Sequence, residues 1–348
     1  MFFWVNGEVV LLHYKTTIII MKKMITTTLI VITLLAGAGF IYLDPYNVLY
    51  AQHWKFKYPS TPVLPWVHFL WDGTTVGGKH HEKAAMIFPV KIDNIAANFY
   101  CQFDLGAIYT MLYGNTLSAY MNNSASLSNK QGKRLWHKCL NNITIQIDSL
   151  SLQGDRVQVF KNYGDSISRD SLFSDEPKMI GTIGVDVCQD KVVIIDYPNQ
   201  RICFVDSLPV SYKATYDMKV SSSGRPFLRM KHNGKEYWLF YDTGSSLFPL
   251  WVSKSMVADF SPYPITDTIV GSTWGDYMTV YGRPVKDTIT VGGKSFSNFE
   301  MYNNNLFASK IVTSCAINAL GFGGLTGNAL FYNSIVILDF KNKKFGVM

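Results

Sequence analysis

Two short segments of this 348-residue chain set an aspartate in the same local context. Asp104-Leu105-Gly106-Ala107 follows the apolar run 99–103, and Asp242-Thr243-Gly244-Ser245 follows the apolar run 237–241 and precedes another at 247–251. An Asp-x-Gly sequence by itself marks an ordinary turn. Two of them, each ending an apolar strand, offer a chemistry that one cannot. Carboxyl groups brought close together cannot both ionise easily, so one keeps a proton while the other acts as a base. The base can take a proton from a water held between them while the protonated member donates toward the oxygen of a carbonyl under attack. Glycine, with no Cβ, lets each turn approach its twin. Such a titration belongs to the pair and to neither residue alone.

A pair of this kind needs a scaffold in duplicate, and the sequence contains one. Residues 181–204 (GTIGVDVCQDKVVIIDYPNQRICF) and 324–347 (GLTGNALFYNSIVILDFKNKKFGV) align without a gap. Both have Gly at the first and fourth positions, then an apolar strand ending in Asp, then a turn and another short strand. Upstream, residues 88–113 and 227–251 align with one gap, each a β-hairpin leading into Asp-x-Gly. The spacing agrees: Gly184 lies 80 residues after Asp104, and Gly327 lies 85 after Asp242. Between these ends, 143–152 and 287–296 alternate as strands do. Helical periodicity outside residues 24–43 is confined to stretches such as 115–121 and 253–260. The expectation is a mostly β fold built by duplication.

Asp-Thr-Gly-Ser after an apolar strand, with a partner Asp-Leu-Gly-Ala and a later apolar-Gly turn in each copy, resembles the pepsin-like and retropepsin-like aspartic proteases. The resemblance covers residues 84–348 and suggests a bilobal, membrane-anchored bacterial type. It implies two β-barrel-like lobes of the acid-protease fold, with Asp104 and Asp242 as the catalytic pair. Gly106, Ala107, Thr243, Gly244 and Ser245 would support the catalytic turns, and Gly184 and Gly327 would cross beside them in a ψ-shaped arrangement. Flap hairpins in such enzymes carry an aromatic side chain, for which the position suggests Trp136 in the first lobe and Trp274 or Tyr277 in the second. The substrate would be a protein or peptide, with no cofactor, and the chain would act as a monomer because it holds both lobes. Two departures stand out. Thr182 and Thr326 replace apolar residues before Gly184 and Gly327, and Leu105 stands where the family has Thr or Ser, whose hydroxyl braces the paired turns. Leu105 leaves two readings open, an active but less rigid pair or a degenerate binding or structural protein at the cell envelope.

Bulk composition agrees with a folded β-rich chain: 48% hydrophobic, 16% charged, rich in Tyr and Phe. The net charge of +7 comes from scattered lysines without an aromatic-interleaved basic stripe, which excludes a nucleic-acid reading. Five cysteines with no C-x-x-C spacing, and His80-His81-Glu82 with no partner motif, give no metal site. GSTWG at 271–275 is not a nucleophile elbow, and GFGG at 321–324 lacks the setting of a dinucleotide loop. Residues 24–43 run uncharged after Lys22 and Lys23, long enough to span a bilayer and leave the rest on the extracytoplasmic side. Cleavage near Ala38, giving a secreted or periplasmic chain, is the alternative. The expected organisation is a short segment 1–23, a membrane helix 24–43, a spacer 44–83, a first lobe 84–207 and a second lobe 208–348.

Overall fold

The computed structural model describes residues 56–58, 64–76, 78–121, 123–134, 137–273, 276–304 and 322–348. Residues 46–348 form one compact unit. The membrane segment expected at 24–43 lies outside the described residues. Among those described, no helix is long and apolar enough to cross a membrane.

The protein is mostly β. Alternation sets the strand faces: in Phe99–Phe103, Phe99, Cys101 and Phe103 are buried while Tyr100 and Gln102 are half-buried. Val192–Asp196 is buried at every position, as its unbroken apolar run requires of a strand covered on both faces. The described strands join into a nine-stranded and a fifteen-stranded sheet. In the first, the pairings run from Leu150–Phe160 through Met111–Tyr113, Lys178–Ile183, Phe99–Phe103 and Lys79–Ile92 to His137–Ile147, which pairs back with Leu150–Phe160.

The second half repeats the pairings around its own Asp-x-Gly turn. Phe99–Phe103 lies parallel to Lys178–Ile183, and Lys235–Tyr241 lies parallel to Phe322–Thr326. Met111–Tyr113 and Leu250–Trp251 each pair antiparallel to the far side of those partners. The repeated apolar strands then meet each other. Val192–Asp196 pairs antiparallel with Ile335–Asp339, with Ile194 opposite Ile337, its counterpart in the sequence repeat. A local two-fold relation therefore passes through this seam. One core runs across it, containing Phe103, Leu105, Ile183 and Val193 together with Leu239, Tyr241, Val336 and Leu338.

The two short helical stretches fall where periodicity put them, at Gly114–Met121 and as a tight turn Lys254–Met256 continuing into Val257–Phe260. Cys101, Cys139, Cys188 and Cys203 are buried free thiols, and Cys315 lies outside the described residues.

The stretch read as a spacer is different from its expectation. From Leu70 it forms a hairpin, Leu70–Val76 with Lys79–Ile92, whose second strand runs unbroken through position 84. The first strand is largely exposed, so its sequence carries no alternation to read. Cross-strand pairing and its outer contacts hold it instead. Trp71 stacks on Tyr197 and meets Tyr332 edge-on, and the Tyr332 hydroxyl donates to the Lys83 carbonyl. Val76 packs against an apolar cluster of the second sheet that includes Phe248, Trp251 and Tyr302. A chain begun at Ala84 lacks these contacts. It should unfold at clearly lower urea concentration than one begun at Tyr46, and equal midpoints would show that the hairpin contributes nothing.

Candidate active site

Each aspartate leaves its strand on the same hydrogen bond. The Asp104 amide donates to the Ile183 carbonyl at 3.0 Å, and the Asp242 amide donates to the Thr326 carbonyl at 3.0 Å. The following turns close with equivalent bonds, Ala107 N–H to Asp104 O and Ser245 N–H to Asp242 O, both 3.1 Å. The two carboxyl groups are thereby brought together: a single Cβ placed on Gly106 would stand 2.6 Å from Asp242 Oδ1 and 2.9 Å from Asp104 Oδ1.

Glycine makes this approach possible. A Cβ on Gly244 would stand 2.5 Å from the Asp104 Cγ, and one on Gly106 would stand 2.6 Å from Asp242 Oδ1. Behind the turns, a Cβ on Gly184 would meet the Tyr109 backbone at 2.5 Å, and one on Gly327 the Ser245 carbonyl at 1.7 Å. The later glycine turns therefore back directly onto the aspartate turns. Thr182 and Thr326, the polar replacements beside them, are both satisfied: Thr182 Oγ1 bonds the Tyr113 hydroxyl at 2.6 Å, and Thr326 Oγ1 donates to Pro249 O at 2.8 Å.

Thr243 braces the pair across the seam. Its hydroxyl donates to Phe103 O at 3.0 Å and accepts from Leu105 N at 2.9 Å. The reciprocal brace is missing because Leu105 has no hydroxyl; its side chain is fully buried in the core instead. Half of a symmetric device is thus replaced by packing. Removing the hydroxyl in Thr243→Val leaves a buried N–H and carbonyl unpaired, at a cost of about 1–3 kcal/mol measurable by denaturant unfolding.

Donors converge on the carboxyls. Asp104 Oδ1 accepts from Gly106 N at 2.7 Å and Ala107 N at 3.0 Å, and Asp242 Oδ1 accepts from Gly244 N at 2.9 Å. Burial raises Asp104 above the ordinary carboxylate range, against the pull of its bonds from Asp242, Gly106, Ala107 and Gly244. Asp242 is raised well above that range, first by desolvation, then by the charge of Asp104 and the bond to it. Together they retain a proton to higher pH than a lone aspartate would. As whole residues, Asp104 is buried and Asp242 half-buried.

No family model matches the sequence, and no curated protein matches it. Among solved structures, the chain is similar to the aspartic proteinase from Irpex lacteus at 10% identity. The match covers 82% of this chain and 97% of that one, with a TM-score of 0.44. A likeness this distant leaves the site to be read from its own geometry.

Of the residues expected near the centre, Asp104, Gly106, Ala107, Thr243, Gly244, Ser245, Gly184 and Gly327 all lie in these four abutting turns. Ser246, next to Ser245, supplies a supporting hydroxyl, which donates to the Thr243 carbonyl at 3.1 Å. Trp136 and Trp274 lie outside the described residues. Tyr277 falls on the strand Asp276–Pro284. No group of three or more His, Cys, Asp or Glu able to hold a metal occurs among the described residues.

Two polar groups escaped the reading of the sequence. Asp186, two residues after Gly184, accepts from Thr110 N and Thr110 Oγ1, both at 2.8 Å, and the Thr110 hydroxyl in turn accepts from Gly184 N. Burial pushes the Asp186 carboxyl up to about 7, opposed by these donors. The folded state therefore holds a proton that the unfolded chain has lost, so this stabilisation is full below about pH 4 and is lost as pH rises through about 7. The stability profile of Asp186→Asn should run flatter than that of the wild type between those limits, and parallel profiles would refute the assignment. Asn328, immediately after Gly327, is the second group. A polar residue inside a buried apolar run was the available signal for both.

Proposed function

We propose that this chain is an aspartic endopeptidase of the pepsin and retropepsin type, with one lobe from each copy of the repeat and Asp104 and Asp242 as its catalytic pair. The observation that carries the reading is the close approach of two carboxyls presented on equivalent turns, so close that a Cβ on Gly244 would stand 2.5 Å from the Asp104 Cγ and one on Gly106 2.6 Å from Asp242 Oδ1. In this mechanism the ionised carboxylate removes a proton from a water lodged against the pair. The water oxygen attacks the carbonyl carbon of a peptide bond, and the protonated carboxyl donates toward the carbonyl oxygen. Collapse of the tetrahedral adduct breaks the C–N bond, and the amine leaves with a proton from the pair. Neither aspartate bonds covalently to the substrate, so the pair returns to its singly protonated state after each turnover.

Protein or peptide segments able to bring an extended backbone to the carboxyl pair are the substrates of this reading, and one chain suffices because it holds both aspartates. Residues 24–43 would anchor the enzyme with its lobes outside the cytoplasm. Thr243 supports an active pair, since it makes the brace in both directions from one side.

The test is cleavage of an unstructured protein by the full-length chain from acidic to neutral pH, with a pepstatin-type inhibitor as control. Asp104→Asn and Asp242→Asn should each abolish cleavage while the fold persists, because Asn keeps the size and turn preference of Asp. Full cleavage by Asp104→Asn would remove the pair from the mechanism. Absence of wild-type cleavage at every pH would favour a non-catalytic binding protein on the same scaffold.

A further inference from the structure

Behind the Asp242 turn lies a buried chain of polar side chains that the proposed reaction does not use. The Asn328 Nδ2 donates to Thr243 O at 2.8 Å and to Ser246 Oγ at 2.7 Å. Since the Thr243 carbonyl can only accept, the amide orientation is fixed, and the Asn328 Oδ1 faces the other way. It accepts from the Tyr197 hydroxyl at 2.6 Å. That bond commits the single proton of Tyr197, so in the hydrogen bond between the Tyr197 and Tyr241 hydroxyls it is Tyr241 that donates. All three side chains are buried.

The direction of the chain gives it a consequence. Donation runs from Tyr241 to Tyr197 to Asn328 and on to the Thr243 carbonyl, which Ser246 also supplies. That carbonyl belongs to the same peptide unit as the Gly244 N–H, the donor to Asp242 Oδ1. Hydrogen bonds in series polarise one another, so a carbonyl loaded from behind makes its own N–H a stronger donor in front.

The symmetry-related positions behind the Asp104 turn carry no such chain. Phe103 stands at the position of Tyr241, Val185 at that of Asn328, and Phe340 at that of Tyr197. All three counterparts are buried apolar residues of the main core. Three coordinated polar substitutions, Tyr197 from the first copy and Tyr241 and Asn328 from the second, bonded in series behind one turn only, are not what packing alone requires. Buried polar groups are costly unless every member is satisfied, and here every member is.

We propose that Tyr197 and Asn328 are positioning residues, which fix and polarise the Thr243–Gly244 peptide so that its N–H stabilises the ionised form of the carboxyl pair on the Asp242 side. The assignment rests on the reading of Asp104 and Asp242 as the catalytic pair, and it makes that pair unsymmetrical by construction. Other groups also act on the pair: Tyr113 and Tyr163 lie near Asp104, Asp186 sits behind its turn through Thr110, and Arg225 and Tyr241 lie near Asp242. None of these bonds the Thr243 carbonyl, so the variants below leave them in place, apart from the Tyr241 hydroxyl itself.

The experiment compares full-length wild type, Tyr197→Phe and Tyr241→Phe by two readouts. The first is the pH profile of cleavage of an unstructured protein. The second, independent of turnover, is the carboxyl titration followed by carbon NMR of aspartate-labelled protein, with Asp104→Asn and Asp242→Asn providing the assignments. With the donor chain broken, the lower apparent pKa of the pair should rise by about half a unit or more in Tyr197→Phe, because the ionised form loses part of its hydrogen bonding. The acidic limb of kcat should move with it while KM stays near the wild-type value. Tyr241→Phe, which removes only the outermost donor, should shift the titration in the same direction by less, and serves if Tyr197→Phe fails to fold. A folded variant whose stability falls while neither the titration nor the acidic limb moves would overturn the assignment and leave Tyr197 a structural residue. If the wild type cleaves nothing, the proteolytic reading falls while the titration still decides this one: a shift supports it and an unmoved titration overturns it.

Discussion

Two carboxyl groups packed this closely must be held by something stiffer than a shared proton, since repulsion separates them once both are ionised. Here the holding is done by backbone. Each aspartate amide is tied to the glycine turn of its own repeat, each glycine turn backs onto an aspartate turn at distances that admit no Cβ, and Thr243 links the two turns across the seam. Much of the architecture serves these contacts. The parallel pairing of Lys178–Ile183 with Phe99–Phe103, and of Phe322–Thr326 with Lys235–Tyr241, delivers each glycine beside its aspartate. The antiparallel seam at Ile194 and Ile337 then brings the two assemblies together.

Around that near-symmetric centre the two copies have diverged in opposite senses. On the Asp104 side Leu105, Phe103 and Val185 are buried apolar residues, with polar support from Asp186 and Thr110 behind the Gly184 turn. On the Asp242 side the chain has gone polar, with Thr243, Ser246, Asn328, Tyr241 and Tyr197 bonded in one network. Leu105, taken alone from the sequence, looks like a lost function. Set among its neighbours it is one half of a division of labour, in which Leu105 packing and the Asp186–Thr110–Gly184 bonds secure one turn and the Thr243–Asn328–Tyr197 network secures the other.

The duplicated unit, the mostly β character and the positions of the four turns were legible because they rest on local signals: Asp-x-Gly after an apolar strand, and a gap-free repeat of 24 residues containing the Asp196-Tyr197-Pro198 and Asp339-Phe340-Lys341 turns. The hairpin at 70–92 was not legible. Its first strand is exposed at five of seven positions, so its residue order shows no alternation that would report pairing supported by Trp71, Tyr197 and Tyr332, far apart in the chain. The Tyr197 network was hidden for a related reason. Tyr for Phe at 197 and 241 and Asn for Val at 328 are visible when the copies are compared, but only the fold shows that the three meet. Asp186 is a similar case, a carboxylate in an apolar run whose partner Thr110 lies 76 residues earlier.

The account turns on one proton shared between Asp104 and Asp242, and the direct measurement is the titration of those two carboxyl carbons in the intact protein. Two well-separated steps, with the upper one above the ordinary carboxylate range and abolished by replacing either aspartate with Asn, are the expected result. Two independent titrations near the value of an exposed aspartate, each unchanged when the other residue is replaced, would contradict it.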